Sequence, residues 1–406
     1  MDKAVHQQQA VRDASSGLLL AHGPVLARPN RLRVCLFTDS RDPSGVGEHM
    51  LTLAASLRGS CQVSVVARRT PGGRRILKRA SELGCRVFAL EWWDRPGAWW
   101  SLVRFLKEES VEVFHTHAGA GWEGLPAPYA SREAGTPVTL RTEHLPYILA
   151  EPRHRLWHAE LLPHLHGLVC VSEDSRESYV REGVPPGLVH VIPNGVAPAS
   201  PVRTRTDMRK RLGLPGDAPV ILTVARLAPQ KGHAVLLQAA QEILAGRPDA
   251  RFLWAGSGPL AGELRDRIAE AGLCDAVRLL GHRRDIPDLM AAADLFVLPS
   301  LFEGHPLVAL EAMQAGLPVV ATDAQGTREA VQDGVTGLLA PPSDPSGLAR
   351  AVAAALADPS AAAARARAAR TVWAERFSAA RMAADHLALY RAAIASARPQ
   401  ESQSQE

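Results

Sequence analysis

A chain of 406 residues, 46% hydrophobic and 22% charged, has the composition of a folded globular protein; it excludes a mainly disordered one, and its length predicts two domains. A net charge of +4 is too weak for a nucleic-acid footprint, and it suits anionic small molecules or an acidic membrane surface. Five scattered cysteines, Cys35, Cys61, Cys85, Cys170 and Cys274, have no metal-ligand pair spacing, which predicts buried free thiols in a reducing, cytoplasmic setting.

In chain order, residues 1–30 lack periodicity and read as a flexible leader. Their apolar patch, Gly17 to Ala21, is too short for a signal peptide and runs into His22-Gly23-Pro24. No segment approaches the ~20 apolar residues of a membrane span. The expectation is a soluble protein, at most peripheral at the inner face of a membrane.

From Arg33 the pattern becomes strand, loop, helix, repeated. Val34-Cys35-Leu36-Phe37 is a buried-strand run, followed by a polar glycine loop over 41–47 and a helix over 48–57. Further strands are predicted over 63–67, 87–90, 111–114, 138–140, 167–171 and 189–192, with helical stretches between them. Short apolar strands alternating with helices predict a parallel sheet covered on both faces, here a Rossmann-like domain over 31–195. Pro193-Asn194-Gly195 stops the last strand, and 196–217, opening in a Pro-, Ser- and Arg-rich run, reads as a linker. The alternation restarts at Val220 and continues over 251–255, 277–280, 295–298 and 318–321, giving a second doubly wound domain over 218–375. Ligands of such sheets bind outside the carboxyl ends of the strands, so two facing domains enclose a cleft. After Pro341 the chain is Ala-rich and helical, with a break at Asp358-Pro359. Its end, 376–397, carries Phe377, Met382, Leu387, Leu389 and Tyr390 on repeating faces and is expected to dock on the N-terminal domain. Residues 398–406 read as a disordered tail.

The chemistry-bearing residues sit at strand ends of the second half. Arg226 leaves one strand and Lys231 opens the next helix, where two cations can neutralise a diphosphate or be ordinary loop charges. Gly256-Ser257-Gly258 ends the following strand, as a close-approach turn or a plain tight one. Glu303 and Glu311 lie eight residues apart. On one helix that spacing would rotate them by about 80° and separate them by about 12 Å, so Glu303 is placed in the turn and Glu311 in a helix starting at Pro306. The free amides of that helix start favour phosphate. Glu311 is the sole charge between Pro306 and Thr322, and it needs a partner there, either an arginine or ligand hydroxyls. Phosphates at a helix start, with one set of hydroxyls at each carboxylate, describe a nucleotide sugar.

The run Glu303-Gly304-His305-Pro306-Leu307-Val308-Ala309-Leu310-Glu311-Ala312-Met313, followed by Ala315-Gly316-Leu317-Pro318-Val319-Val320-Ala321, resembles the retaining glycosyltransferase family 4. Ala225-Arg226-Leu227 with Lys231-Gly232, Ile192-Pro193-Asn194-Gly195-Val196 and Asp333-Gly334-Val335-Thr336-Gly337-Leu338 support it in the same order. The N-terminal half matches more loosely, through Ser44-Gly45-Val46-Gly47 and Phe114-His115-Thr116-His117. The resemblance implies the GT-B fold, two facing Rossmann-like domains with an interdomain cleft. It implies that Arg226 and Lys231 bind the donor diphosphate and stabilise the departing nucleotide, Glu303 contacts the transferred sugar, and Glu311 the ribose. Gly45, Gly47, Gly256, Gly304, His305, Leu307 and Val308 complete the implied donor pocket. His117 matches the family's active-site histidine, and His144 is an acceptor-side candidate. Relatives carry an aromatic residue and then glycine where His305 and Pro306 stand, which places donor choice at this pair.

A zinc site at His115, His117 and His144 is weighed against two objections. The pair two residues apart is taken to point to opposite faces, and no third ligand has recognisable spacing. With no Asp-x-Asp pair either, the expectation is a metal-independent enzyme without a cofactor. Arg68, Arg69, Arg74, Arg75, Lys78 and Arg79 precede Trp92, Trp93, Trp99 and Trp100. These read as an acceptor pocket at Trp92 and Trp93 or a membrane contact, against a solvated helix face with core aromatics. The leading expectation is hexosyl transfer by front-face substitution from a nucleotide-diphosphate sugar, UDP by family frequency, to a hydroxyl of a glycan, lipid-linked or small-molecule acceptor. A dinucleotide-dependent oxidoreductase competes through Gly45-Val46-Gly47, but Met50 holds the third glycine place and no acid ends the second strand. A non-catalytic nucleotide-sugar-binding module is opposed by Arg226, Lys231, Glu303 and Glu311 occurring together.

Overall fold

The computed structural model describes residues 31–41, 44–119 and 121–397; the expected leader 1–30 and tail 398–406 lie outside them. Apolar runs form the strands of the first sheet: β1 (Leu32–Thr38), β2 (Cys61–Arg68), β3 (Arg86–Leu90), β4 (Val113–Ala118), β5 (Val138–Glu143), β6 (Gly167–Cys170) and β7 (Val189–Val191). Between and after them run α1 (Ser44–Leu57), α2 (Pro71–Glu82), α3 (Ala98–Glu108), α4 (Ala127–Glu133), α5 (Pro152–Leu161) and α6 (Glu173–Arg181). Period-two alternation divides each strand between two cores. Val34 and Leu36 of β1 pack with Met50 and Leu53 of α1, while Cys35 and Phe37 pack with Leu102 and Leu106 of α3.

The second half opens with α7 (Arg205–Arg211) and carries β8 (Val220–Val224), α8 (His233–Gly246), β9 (Arg251–Ala255), α9 (Ala261–Glu270), β10 (Val277–Gly281) and α10 (Ile286–Ala292). It continues with β11 (Leu295–Leu298), α11 (Leu307–Ala315), β12 (Val319–Thr322), α12 (Thr327–Ala330), β13 (Leu338–Ala340), α13 (Pro345–Ala357), α14 (Pro359–Arg376) and α15 (Ala379–Ala397). The sheets run β3-β2-β1-β4-β5-β6-β7 and β10-β9-β8-β11-β12-β13, all pairs parallel. Strand order reverses between β1 and β4 and again between β8 and β11, and a doubly wound sheet opens its binding crevice at such a point.

The chain passes between the halves twice, side by side. Val196 N donates to Phe377 O at 3.0 Å, and Ala379 N to Val196 O at 3.0 Å. Beyond that crossing α15 buries Met382, Ala383 and Tyr390 in the core of the first half, which is the expected docking back.

Three local readings are corrected. Helix α1 starts at Ser44 rather than at 48, so Gly45 and Gly47 lie in its first turn instead of a loop. The stretch taken as linker contains α7, because Thr204 caps it by accepting from Asp207 N at 3.1 Å and Met208 is buried in the second core. Helix α11 starts at Leu307, with Pro306 at the capping position in extended conformation rather than at the first helical one. The short edge strand β13 is an addition. Among the described residues Cys35, Cys61, Cys85 and Cys170 are buried and form no disulfide, whereas Cys274 is exposed. Among the described residues no helix is long and apolar enough to cross a membrane.

Candidate active site

Strands β8 and β11 flank the second crevice, and their loops supply its charges. The β8 loop carries Arg226, which is exposed and has no acid partner among the described residues. Lys231 closes a 3-10 turn, Pro229–Lys231, and its Nζ donates to Glu303 Oε1 at 2.6 Å. Ser300 Oγ donates to the same oxygen at 2.6 Å, so Glu303 is held from two sides while Oε2 has no partner among the described residues. Gln230 ties the loops together: its Nε2 donates to Phe302 O at 2.9 Å, and its carbonyl accepts from Leu301 N at 2.8 Å. Gly256 has φ +153°, and a Cβ there would lie 1.8 Å from Ala225 O. This glycine serves the packing of one loop on the next.

Helix α11 starts beside Glu303. The amides of Leu307 and Val308 belong to its first turn, where no intrahelical carbonyl can accept from them. Glu311, in the middle of α11, is half-buried and has no hydrogen-bond or ion-pair partner among the described residues; the arginine alternative is not realised. Burial, with a smaller contribution from the Glu48 charge on α1, pushes its carboxyl up to about 7.

The first crevice is lined differently. His117 ends β4, His144 follows β5, His49 lies on α1, and His115 and His386 stand behind them. His117 Nδ1 lies 3.2 Å from His144 Nε2. His115 bonds Tyr390 OH through Nδ1 and Thr142 Oγ1 through Nε2, both at 2.7 Å. His386 Nδ1 donates to Met382 O at 2.8 Å. Burial drives all five imidazoles toward the neutral form; neighbouring rings add to it for His49, His115 and His117, while Glu143 opposes it at His144 and Met382 O and Asp385 oppose it at His386. His49, His115 and His117 fall well below the usual range, His144 to about 3 and His386 to about 4.

Both objections to a histidine cluster are thereby corrected. Residues two apart on a strand share a face, and the His115 and His117 ring centroids are 4.2 Å apart. The third ring is His49, whose only sequence signal is a histidine in the helix after the first strand. One ring nitrogen each of His49, His117 and His144 lies within 4.8 Å of the others.

Asn194 joins the two halves. Its Nδ2 donates to His305 O at 2.7 Å, which turns its Oδ1 to His49 Nδ1 at 2.9 Å. The His305 ring is buried against Phe377, centroids 5.0 Å apart, with neither nitrogen bonded. The placement of donor choice on the His305 side chain is therefore corrected: the ring sits in the crossing between the halves. Gly304 touches the other half directly, since a Cβ there would lie 2.0 Å from His144 O. A further contact across the cleft is made by Glu329, whose carboxylate accepts from the amides of Glu173 at 2.9 Å and Asp174 at 2.8 Å.

The aromatic–basic region is not one exposed face. Trp93 Nε1 donates to Asp39 Oδ2 at 2.9 Å, Arg68 lies 3.5 Å over the Trp92 ring, and Trp99 packs into the core. Arg69 pairs with Glu91 and Arg79 with Glu48. Of the four tryptophans Trp100 is the most open, at 62% exposure. Trp122, Ile148, Leu156 and Trp157, around the ends of β4 and β5, are exposed large apolar residues that the sequence reading did not single out.

Residues 43–200 match the family described as Glycosyltransferase Family 4, and residues 204–372 match Glycosyl transferases group 1. A 2-deoxystreptamine glucosyltransferase of Streptomyces kanamyceticus is 31% identical over 284 residues, covering 64% of this chain and 71% of that protein. The UDP-Gal:alpha-D-GlcNAc-diphosphoundecaprenol alpha-1,3-galactosyltransferase of Escherichia coli is 32% identical over 255 residues, 59% of this chain; the match spans 65% of the relative's own length. The structure of HepE from Anabaena, solved with UDP and glucose, aligns with a TM-score of 0.77 at 23% identity, over 89% of this chain and 100% of that one, which shows the fold. The chain belongs to the group 1 glycosyltransferases of family 4, with the GT-B fold. The oxidoreductase reading finds no support.

Proposed function

We propose that the chain transfers a sugar from a nucleotide-diphosphate sugar, with UDP as the nucleotide, to a hydroxyl acceptor with retention of anomeric configuration. The observation that carries this reading is the Lys231–Glu303 pair, fixed by Ser300 and Gln230, set between the unpaired Arg226 and the start of α11. Arg226, Lys231 and the first amides of α11 face the diphosphate and stabilise the charge growing on it as the bond from the anomeric carbon to the phosphate oxygen breaks. The acceptor oxygen bonds to the anomeric carbon from the same face, and its proton passes to the departing phosphate oxygen. Glu303 Oε2 accepts from a sugar hydroxyl and Glu311 from the ribose. The neutral rings of His117 and His144 lie on the sugar and acceptor side. No divalent ion is required at the diphosphate, because the two cations and the helix start supply the positive charge.

The UDP assignment draws support from the names of the Escherichia coli and Anabaena proteins. We read the acceptor as a glycan, a lipid-linked saccharide or a small molecule, met in the cytoplasm or at the inner membrane face. Exposed Trp122, Leu156 and Trp157 stand on the acceptor side of the first half. A panel of nucleotide sugars in a thermal-unfolding assay tests the donor, since a ligand bound by the folded state alone raises the melting point. Stabilisation by UDP-sugars, with transfer lost in Arg226→Ala and Glu303→Ala, is expected. Full activity in both variants would overturn the assignment.

A further inference from the structure

We propose that His49, His117 and His144 form a binding site for a divalent transition ion, Zn2+ fitting best, on the wall of the cleft opposite the diphosphate. One nitrogen from each ring lies within 4.8 Å of the others, and the His117–His144 pair is already at 3.2 Å. A tetrahedral zinc with bonds of about 2.0–2.1 Å needs its nitrogen ligands roughly 3.4 Å apart, so the widest separation in the triad has to close by up to about 1.4 Å on binding. The three rings come from α1 and from the ends of adjacent strands β4 and β5, all in one half of the molecule.

One unpartnered atom points to a ligand: His49 Nε2 is buried without a hydrogen bond among the described residues, while on His117 the nitrogen that faces His144 is Nδ1. The His49 tautomer follows from geometry. Asn194 Nδ2 donates to His305 O, so Oδ1 faces His49 and accepts from Nδ1–H, leaving Nε2 with its lone pair. A carboxamide oxygen on the far ring nitrogen is the arrangement that orients ligating histidines. An all-imidazole donor set suits zinc, copper or nickel and not magnesium or calcium, which prefer oxygen. His144 is half-buried while the other two residues are buried, so access to the triad is from the His144 side. The site rests on the proposed function for its place in the cleft: a bound ion takes the ring nitrogens assigned there to the sugar and acceptor side, so transfer belongs to the metal-free protein.

The test uses the full chain, purified without a polyhistidine tag and stripped with chelator. Co2+ alone serves as the spectroscopic probe and Zn2+ alone as its competitor. One equivalent of Co2+ is expected to give the visible absorption of a four-coordinate site, which Zn2+ abolishes, and Zn2+ is expected to raise the melting point. His144→Gln, at the half-buried position, should lose both responses; its metal-free melting point reports whether it is folded. Asn194→Ala should weaken binding by ~10–100-fold. Cys274→Ser, at an exposed position, should leave the spectrum unchanged. No Co2+ absorption and no Zn2+ stabilisation would overturn the proposal. So would a spectrum kept by folded His144→Gln or lost in Cys274→Ser.

Discussion

The two halves of the molecule open at the same topological place and line it with opposite chemistry. Between β8 and β11 stand formal charges: Arg226, and Lys231 against Glu303. Between β1 and β4, and along to β5, stand imidazoles that burial holds neutral. In the proposed function one wall meets a diphosphate by charge, and the other meets sugar and acceptor by shape and uncharged hydrogen bonds. The neutral wall also serves the charged one. A layer of buried rings excludes water, and a cation acts more strongly across a medium of low dielectric.

If that contrast is right, the largest effect comes from the charged wall. Arg226→Ala and Lys231→Ala should each lower kcat for sugar transfer by ~10²–10³-fold, the range for removing one charge-stabilising group. Arg226→Ala should do so with an unchanged melting point, because the side chain has no partner among the described residues. Lys231→Ala should also destabilise the fold, by leaving buried Glu303 with Ser300 alone. Steady-state rates and melting points on the same preparations check both; a loss below tenfold in either would break the contrast.

The next effect lies at the junction of the walls. Asn194→Ala removes the acceptor from His49 Nδ1 and the donor to His305 O, leaving two buried polar groups unbonded. A loss of about 2 kcal/mol is expected in urea unfolding. A smaller one belongs to the neutral wall alone. Tyr390→Phe deletes the hydroxyl that bonds His115 from α15 and should cost about 1 kcal/mol, with transfer rates intact. A rate loss there would show that the rings behind His117 do more than pack.

The charged wall was legible in the sequence and the neutral one only in part, for a physical reason. A glutamate inside an apolar run or a lysine after a strand stands out against hydrophobic periodicity, and the strands themselves are continuous apolar runs whose spacing dictates the two sheets. Imidazoles carry no such contrast. His49 and His386 sit in helices among Leu, Met and Ala as ordinary fillers, and only tertiary packing of α1 and α15 onto β4 gathers them. His305 failed in the opposite sense. Its place in a donor motif was readable, but its ring direction depends on Phe377, which arrives from the far end of the second half. The sequence leaves the tryptophans between an acceptor or membrane surface and core packing, because what separates them, Asp39 bonded to Trp93 and Arg68 over Trp92, lies on other elements.

The last and smallest effect is a pH dependence that probes the boundary between the walls, where Glu311 of one faces Glu48 of the other. The folded-state carboxyl of Glu311 is raised from 4.5 to about 7. Between those values the folded chain holds a proton that the unfolded chain has released, so stability must fall as pH rises across the window and level off above it. Glu311→Gln lacks this titration. The melting point of the parent minus that of the variant should thus decline from about pH 5 to about pH 8, and Glu48→Gln should make the decline shallower. Nucleotide binding works in the opposite direction. Ribose hydroxyls donate to an ionised carboxylate, so the stabilisation by UDP should grow as pH rises through the same window. A difference curve that stays flat would mean that Glu311 is already ionised in the free protein, and the two walls would then differ in charge without an acid at their border that waits for its ligand.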